Sequence, residues 1–228
     1  NDSYTFYAQR AADIIKQICE DLQVDVGTLD DTGYKLPSLV MQDKSCIDII
    51  NTAIQKTLLN TGTVFVLYDS GDGVALRSAA DMKSDYIIGE KSLMTNYSYN
   101  TSIDSQTYNS IKLVRPNKET GKSDVFIRKD SDTIARWGLL QLYQKVDEAA
   151  TDAQVKEPAK VSLEYSNRVL QQLTLPSLGV NSLRAGQLLL VNINDLDGDP
   201  FRKYVMLEKV SHTWENDLHT MELEAKAL

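Results

Sequence analysis

Apolar residues recur at three- and four-residue spacing near the start of the chain. Ala8, Ala11, Ala12, Ile15, Ile18, Cys19 and Leu22 share one side of a helical projection, with Gln9, Arg10, Asp13, Lys16 and Glu20 between them. This spacing predicts an amphipathic helix, closed off by Gly27 and the turn cluster Asp30-Asp31-Thr32-Gly33. A second helix is predicted from Ser45, where Asp48 stands three residues on as a capping-box partner. Its stripe is Ile47, Ile50, Ile54 and Leu58, and Asn60-Thr61-Gly62 stops it.

The period then changes. Residues 63–68 are rich in β-branched and aromatic side chains, 74–76 are apolar, and Asp69-Ser70-Gly71-Asp72-Gly73 between them reads as a hairpin loop. Further strands are predicted over 93–102, with Tyr97 and Tyr99 on one face, and over 110–115, 124–128 and 187–194. Residues 204–214 and 218–227 form a long hairpin around a two-residue turn at Asn216-Asp217. That register puts Val210, His212 and Trp214 on one face with His219, Met221 and Leu223. Two helical segments interrupt the strands: one over 131–148 carrying Ile134, Trp137 and Leu140, and one from Glu157-Pro158 to about Gln172. The expected fold is α+β. A small unit of two helices and a hairpin spans 1–83, and a β-barrel-like or sandwich domain spans 84–228, with a helical insertion at about 131–172.

Composition changes this picture little, and charge narrows it. With 24 Lys and Arg against 32 Asp and Glu, the net charge is −8 and the basic residues are scattered, so phosphate-driven nucleic-acid binding is not expected. No apolar run approaches the roughly 18–20 residues of a spanning helix, and no secretory signal opens the chain, so no membrane is expected. The two cysteines, Cys19 and Cys46, are too few for a disulfide scaffold. They read as two buried free thiols or as a single bridge between the helices.

The candidate chemistry fails motif by motif. Glu119-Thr120-Gly121-Lys122-Ser123 matches the tail of a P-loop, but Pro116 stands where the first Gly belongs and a strand follows instead of a helix. Asp195, Asp197 and Asp199 suggest a calcium loop, yet Pro200 and Met206 occupy the positions of its Gly and bidentate acid. The stretch reads as a polar strand–strand tip, with a weak surface cation site as the other reading. His212 and His219 are the only histidines, close in the hairpin register beside Trp214; packing is the expected role, a small site the alternative. The paired acids Glu20-Asp21 and Asp30-Asp31 fall at a helix end and a turn, where solvated charge is the default, and no Gly-x-Ser-x-Gly elbow is present. No catalytic, cofactor-binding or metal-binding residue and no cofactor is therefore expected. Eleven Tyr against four Phe, several in predicted strands, fit half-buried core or a protein contact surface.

The order of pieces resembles a known family. The helix Ala11-Ala12-Asp13-Ile14-Ile15-Lys16-Gln17-Ile18-Cys19 is followed by the helix Ser45-Cys46-Ile47-Asp48-Ile49-Ile50. Next come Phe65-Val66-Leu67-Tyr68 with Gly73-Val74-Ala75-Leu76-Arg77, then Asn109-Ser110-Ile111-Lys112-Leu113 and Asp132-Thr133-Ile134-Ala135-Arg136-Trp137-Gly138. Leu183-Arg184-Ala185-Gly186-Gln187 and the closing hairpin through His212 complete it. The whole is similar to the XkdQ/YqbQ family of phage-like elements in Gram-positive bacteria. The resemblance implies a structural, non-enzymatic baseplate hub of a contractile tail, made in the bacterial cytoplasm and built into the particle. It also implies a homotrimeric ring linking tail tube to spike, and an N-terminal barrel-forming segment before Asn1. A tail-associated cell-wall hydrolase using two carboxylates, or a wall-binding module with an exposed aromatic platform at Trp214 or Trp137, is the competing expectation.

Overall fold

The computed structural model describes residues 1–104, 106–117, 121–146, 148–196 and 198–227. In chain order they form β1 (Asp2–Arg10), α1 (Ala11–Asp21), β2 (Val26–Leu29), β3 (Lys35–Lys44), α2 (Cys46–Thr61), β4 (Phe65–Asp69) and β5 (Val74–Ser78). There follow β6 (Lys83–Gly89), β7 (Ser98–Ser102), β8 (Ser110–Asn117), β9 (Lys122–Lys129), α3 (Ser131–Trp137), β10 (Gln141–Lys145) and α4 (Asp152–Ser166). Four long strands close the chain: β11 (Leu170–Leu178), β12 (Leu188–Leu196), β13 (Asp199–Glu215) and β14 (Leu218–Ala227).

The first helix starts later than its spacing suggests, because residues 2–10 are a strand that ends in a helix cap. Ala8 lies in β1 at a positive φ of 51°, and the Arg10 amide donates to the Asp13 carboxylate at 3.1 Å to open α1. The buried stripe is Ala11, Ile14, Ile15, Ile18 and Cys19, while Leu22 is exposed. β1 pairs with β3 in antiparallel register, Phe6 opposite Leu39, and both side chains enter the same core. The second helix begins and ends where expected. Ser45 Oγ accepts from the Asp48 amide at 3.1 Å, and Gly62 at φ 72° closes it in the left-handed conformation. The β4–β5 hairpin joins β2 in a three-stranded sheet.

The chain separates into two compact units that interleave in sequence: residues 1–76 with 106–168, and residues 77–105 with 169–228. The expected division was contiguous, 1–83 and 84–228. In the structure residues 106–168 build a sheet of their own, order β10-β8-β9, with α4 on one face, and this belongs to the first unit. Ile111, Leu113, Val155, Ala159 and Leu163 form its core. Both helices expected in this stretch are shorter or shifted. The helix from Ser131 stops at Trp137, after which β10 pairs in parallel with β8, because Gly138 and Leu139 lead the chain into a ladder that local spacing does not encode. The later helix opens at Thr151, not Glu157. Thr151 and Gln154 form a capping box, and Pro158 sits inside the helix. Arg115 ties the start of α4 to the β8–β9 hairpin, donating to Asp124 at 2.8 Å and to the Ala150 carbonyl at 2.6 Å, with Asp152 at 3.0 Å.

Asp130 caps α3. Its carboxylate accepts from the Thr133 amide at 2.8 Å and the Thr133 hydroxyl at 3.0 Å, bonds that hold its pKa below the ordinary carboxylate value. A depressed folded-state value contributes stability above the unfolded value and loses it as pH falls through the folded one. The denaturation midpoint of the wild type is therefore expected to fall further between about pH 5 and about pH 3 than that of Asp130→Asn, which caps without titrating. Urea titrations at the two pH values measure the difference.

The second unit is one six-stranded sheet, order β6-β12-β13-β14-β11-β7, parallel only at β6–β12. Its core is Leu173, Leu175, Leu189, Val191, Ile193, Val205, Leu207 and Leu223, with Tyr97 and Tyr99 packed partly against it. The barrel-like expectation is corrected here. β6 and β7 are its two edges, and no ladder among the described residues joins them into a closed barrel. Gly89 lies where the β6–β12 pair is tightest: a Cβ there would come within about 2.2 Å of the Asn192 carbonyl oxygen.

Candidate assembly surfaces

The hairpin register deduced from the chain is the one observed. Val210 faces Leu223, His212 faces Met221 and Trp214 faces His219, with Asn216 and Asp217 both at positive φ in the turn. His212 and His219 are brought together on this face. His212 Nε2 lies 3.0 Å from the Leu183 carbonyl oxygen, which only accepts, so that nitrogen carries the proton. In the neutral ring Nδ1 then holds the lone pair, and His219 Nε2 donates to it at 3.0 Å. The ring centroids are 5.2 Å apart, about as far as head-on nitrogens at that spacing permit. A tetrahedral ion held at about 2 Å from each nitrogen would sit off the line joining them, where two head-on nitrogens do not aim their lone pairs. The pair is a hydrogen bond and not a chelate. Trp214 stacks on His219 at 4.4 Å and 11°.

Gly179 makes this arrangement fit. A Cβ on it would stand about 2.1 Å from Cγ of His219, too near the backbone for the ring to swing clear. Gly179→Ala is expected to displace His219, break its bond to His212 and cost about 1–3 kcal/mol. A shift in Trp214 fluorescence and a lower denaturation midpoint are the readouts.

The other candidates are placed apart from one another. Gly121, at φ 66°, and Lys122 belong to the β8–β9 turn, where Glu119 and Thr120 lie outside the described residues. Asp195 and Asp199 flank the β12–β13 turn, where the Gly198 amide donates to Asp195 at 2.9 Å, and Asp197 lies outside the described residues. Cys19 is buried and Cys46 half-buried, and both are free thiols; burial raises the pKa of Cys19. Among the described residues no three His, Cys, Asp or Glu side chains gather as a metal site would require, and no helix is long and apolar enough to cross a membrane. In the first unit a groove of about 410 Å³ is lined by Leu36, Val40, Leu59, Leu113, Val146 and Pro158, with Lys56 and Lys145 the charged residues at its walls and no carboxylate among its described lining residues. Trp137 is half-buried, with the Arg136 guanidinium over its ring, and Trp214 is 65% exposed.

Surface, then, is what the molecule offers. The face of the β10-β8-β9 sheet turned away from α4 carries Tyr143, Lys112 and Ile127 in one row and Lys145, Val114 and Val125 in the next. Val125, Ile127 and Tyr143 are each half or more exposed. Composition alone gave no sign of this face; the alternation within β9 did, once its partner strand was known.

This fold occurs in phage tail proteins. The 43 kDa tail protein of prophage MuSo2 from Shewanella oneidensis superposes with a TM-score of 0.66 over 97% of this chain and 66% of its own, at 12% identity. The tail protein from Neisseria meningitidis MC58 gives 0.63 over 99% and 70%, at 10% identity. The YQBQ-like family model matches residues 1–226, and the chain belongs to that family. YqbQ of Bacillus subtilis (strain 168) is 28% identical over 225 residues, and the phage-like element PBSX protein XkdQ of the same strain is 26% identical over 225. Both alignments take in 98% of this chain and 67% of the relative, so the chain spans about two thirds of their length.

Proposed function

We propose that this protein is a structural component of a phage or phage-like contractile tail, serving as the baseplate hub that joins the tail tube to the spike. The family match along residues 1–226, with a PBSX protein among the relatives, carries the reading. The fold shared with two tail proteins, one of them from a prophage, supports it. In this reading the chain works as a homotrimer within the particle, with tube and spike proteins as partners and neither nucleic acid nor membrane as a ligand. It is made in the bacterial cytoplasm and catalyses nothing. An assembly role asks for exposed faces of mixed apolar and charged character, such as that of the β10-β8-β9 sheet, and not for an enclosed pocket.

No specific observation favours the hydrolase. Its groove would need two carboxylates roughly 5–9.5 Å apart, and the described lining of the groove above has none. The test is to tag the chain in its host element, induce the particles and label purified tails. Label at the baseplate end, with no mature tails after deletion, is the expected result. Normal tails assembled without the chain, or cleared peptidoglycan in a zymogram, would overturn it.

A further inference from the structure

Two exposed surfaces of this chain complement each other in charge as well as in apolar character. The first is the outer face of the β10-β8-β9 sheet, described above. By register it runs Gln141 and Lys129 flanking buried Ser110, then Tyr143, Lys112 and Ile127, then Lys145 and Val125 flanking buried Val114, then Pro116 and Ser123. Three lysines stand there without a carboxylate among those residues, in a chain whose net charge is −8. Lys112 is on the central strand, where guarding a free sheet edge gives no reason for a lysine. Val125, Ile127 and Tyr143 are 52%, 57% and 50% exposed among them.

The second surface is the tip of the β13–β14 hairpin. β12 leaves β13 at Met206, and the chain after β11 makes its last bond to β14 from the Gly179 amide to the His219 carbonyl at 2.8 Å, so the turn end of the hairpin runs past both neighbours. It carries Trp214 on one face, 65% exposed, and Leu218 on the other, 54% exposed, with the exposed acids Glu215 across from Leu218 and Asp217 in the turn. The stack of His212, Trp214 and His219, held through Leu183, presents Trp214 on a fixed support.

We infer that the hairpin tip of one copy docks on the outer β10-β8-β9 face of a second copy. The tip docks end-on, so that Trp214 on one side of the hairpin and Leu218 on the other both reach Tyr143, Ile127 and Val125, and Glu215 and Asp217 face Lys112, Lys129 and Lys145. The contact is heterologous, one patch meeting a different patch, so a pair keeps one free face and one free tip, and the series ends only when it closes as a ring. This rests on the assembly reading above and deepens it by naming the surfaces through which copies meet. Opposite charges set the register and speed encounter, and salt weakens the contact.

The test uses the whole chain in two variants. Lys112→Glu with Lys129→Glu spoils the face, and Glu215→Lys with Leu218→Lys spoils the tip; all four positions are strand residues on the surface. In sedimentation velocity the wild type is expected to gain mass with concentration, and less so in high salt, which screens the opposed charges. Each variant alone stays monomeric. Mixed together they form a species of twice the monomer mass, because one supplies an intact face and the other an intact tip. That complementation also shows that both variants fold. A wild type that stays monomeric, a variant that associates like the wild type, or two monomeric variants that fail to pair would each overturn the inference. Incorporation into tails is scored separately: copies that pair through these surfaces yet never enter a tail would sink the hub reading and leave this one standing.

Discussion

Phe6→Ala is expected to destabilise the first unit by about 3–5 kcal/mol, the range for truncating a buried Phe in a packed core. Phe6 is 2% exposed, stacks on Tyr4 at 5.4 Å and packs with Ile14, Ile15, Ile18, Leu36, Leu39 and Ile49. It is also the residue through which β1 holds against both helices, so the effect should be local in a telling way. Amide hydrogen exchange in α1, α2 and β3 should quicken strongly, while β12, β13 and β14 of the second unit keep their protection. If β1 were a dispensable lead-in to the first helix, exchange in α2 would not change and the denaturation midpoint would barely move. Tyr4 beside it gives a second measure. Desolvation, joined by its hydrogen bond to Asp21 at 3.2 Å, raises its phenol to about 12. In Phe6→Ala the loosened strand should let Tyr4 ionise at lower pH, read from its ultraviolet absorbance.

Asn109→Ala is expected to cost about 2 kcal/mol, since it takes the partner from two backbone groups in a part-buried site. Asn109 is fully buried. Its side-chain amide donates to the Gly138 carbonyl at 2.7 Å, and its carbonyl accepts from the Leu140 amide at 2.8 Å. Its own backbone amide bonds the Leu140 carbonyl at 2.9 Å, and its carbonyl accepts from the Asp130 amide at 3.0 Å. One residue therefore fixes where α3 ends and where β10 enters its parallel pairing with β8. Asn109→Asp separates the two roles: it keeps the acceptor for Leu140 but sets a second acceptor against the Gly138 carbonyl, and should be no better than Ala. Chemical denaturation compares the three proteins, and exchange at residues 138–142 locates the damage.

Asn109 also shows why part of the fold was out of reach of the sequence. An Asn between two strands signals a turn or a cap on local grounds; that it clamps a segment thirty residues away depends on a parallel crossover that spacing does not encode. The same limit explains the helix expected over 131–148. Ile134, Trp137 and Leu140 do recur at helical spacing, but Leu140 is already bonded through its backbone to Asn109 and starts a strand. The first strand was missed for a related reason. Its alternating side chains run directly into the helix they precede, and the helical pattern absorbed Ala8.

Where structure is local, the sequence was sufficient. Ser45, Asp48 and Gly62 bound α2 because capping and left-handed closure are satisfied within a turn of the chain. Asn216 and Asp217 tolerate positive φ, and the two-residue turn they make forces the whole β13–β14 register by counting. From that register followed the nearness of His212 and His219. Their tautomers and the head-on geometry that excludes a bridging ion came only with the Leu183 carbonyl, supplied from a different segment. The candidate surfaces divide the same way. Val125 and Ile127 alternate visibly in β9, but that they face outward with Lys112 and Tyr143 depends on β10 and α4 taking their places about β8.

The sequence by itself determined the α+β composition, both ends of α2, the closing hairpin, the family and the failure of each catalytic motif, since all of these are written in neighbouring residues. Only the tertiary structure decided that residues 106–168 join the first unit, that the six-stranded sheet stays open, and which faces are left bare. Those are outcomes of pairing between strands distant in sequence, where the energy lies in ladders and buried contacts that no short window contains.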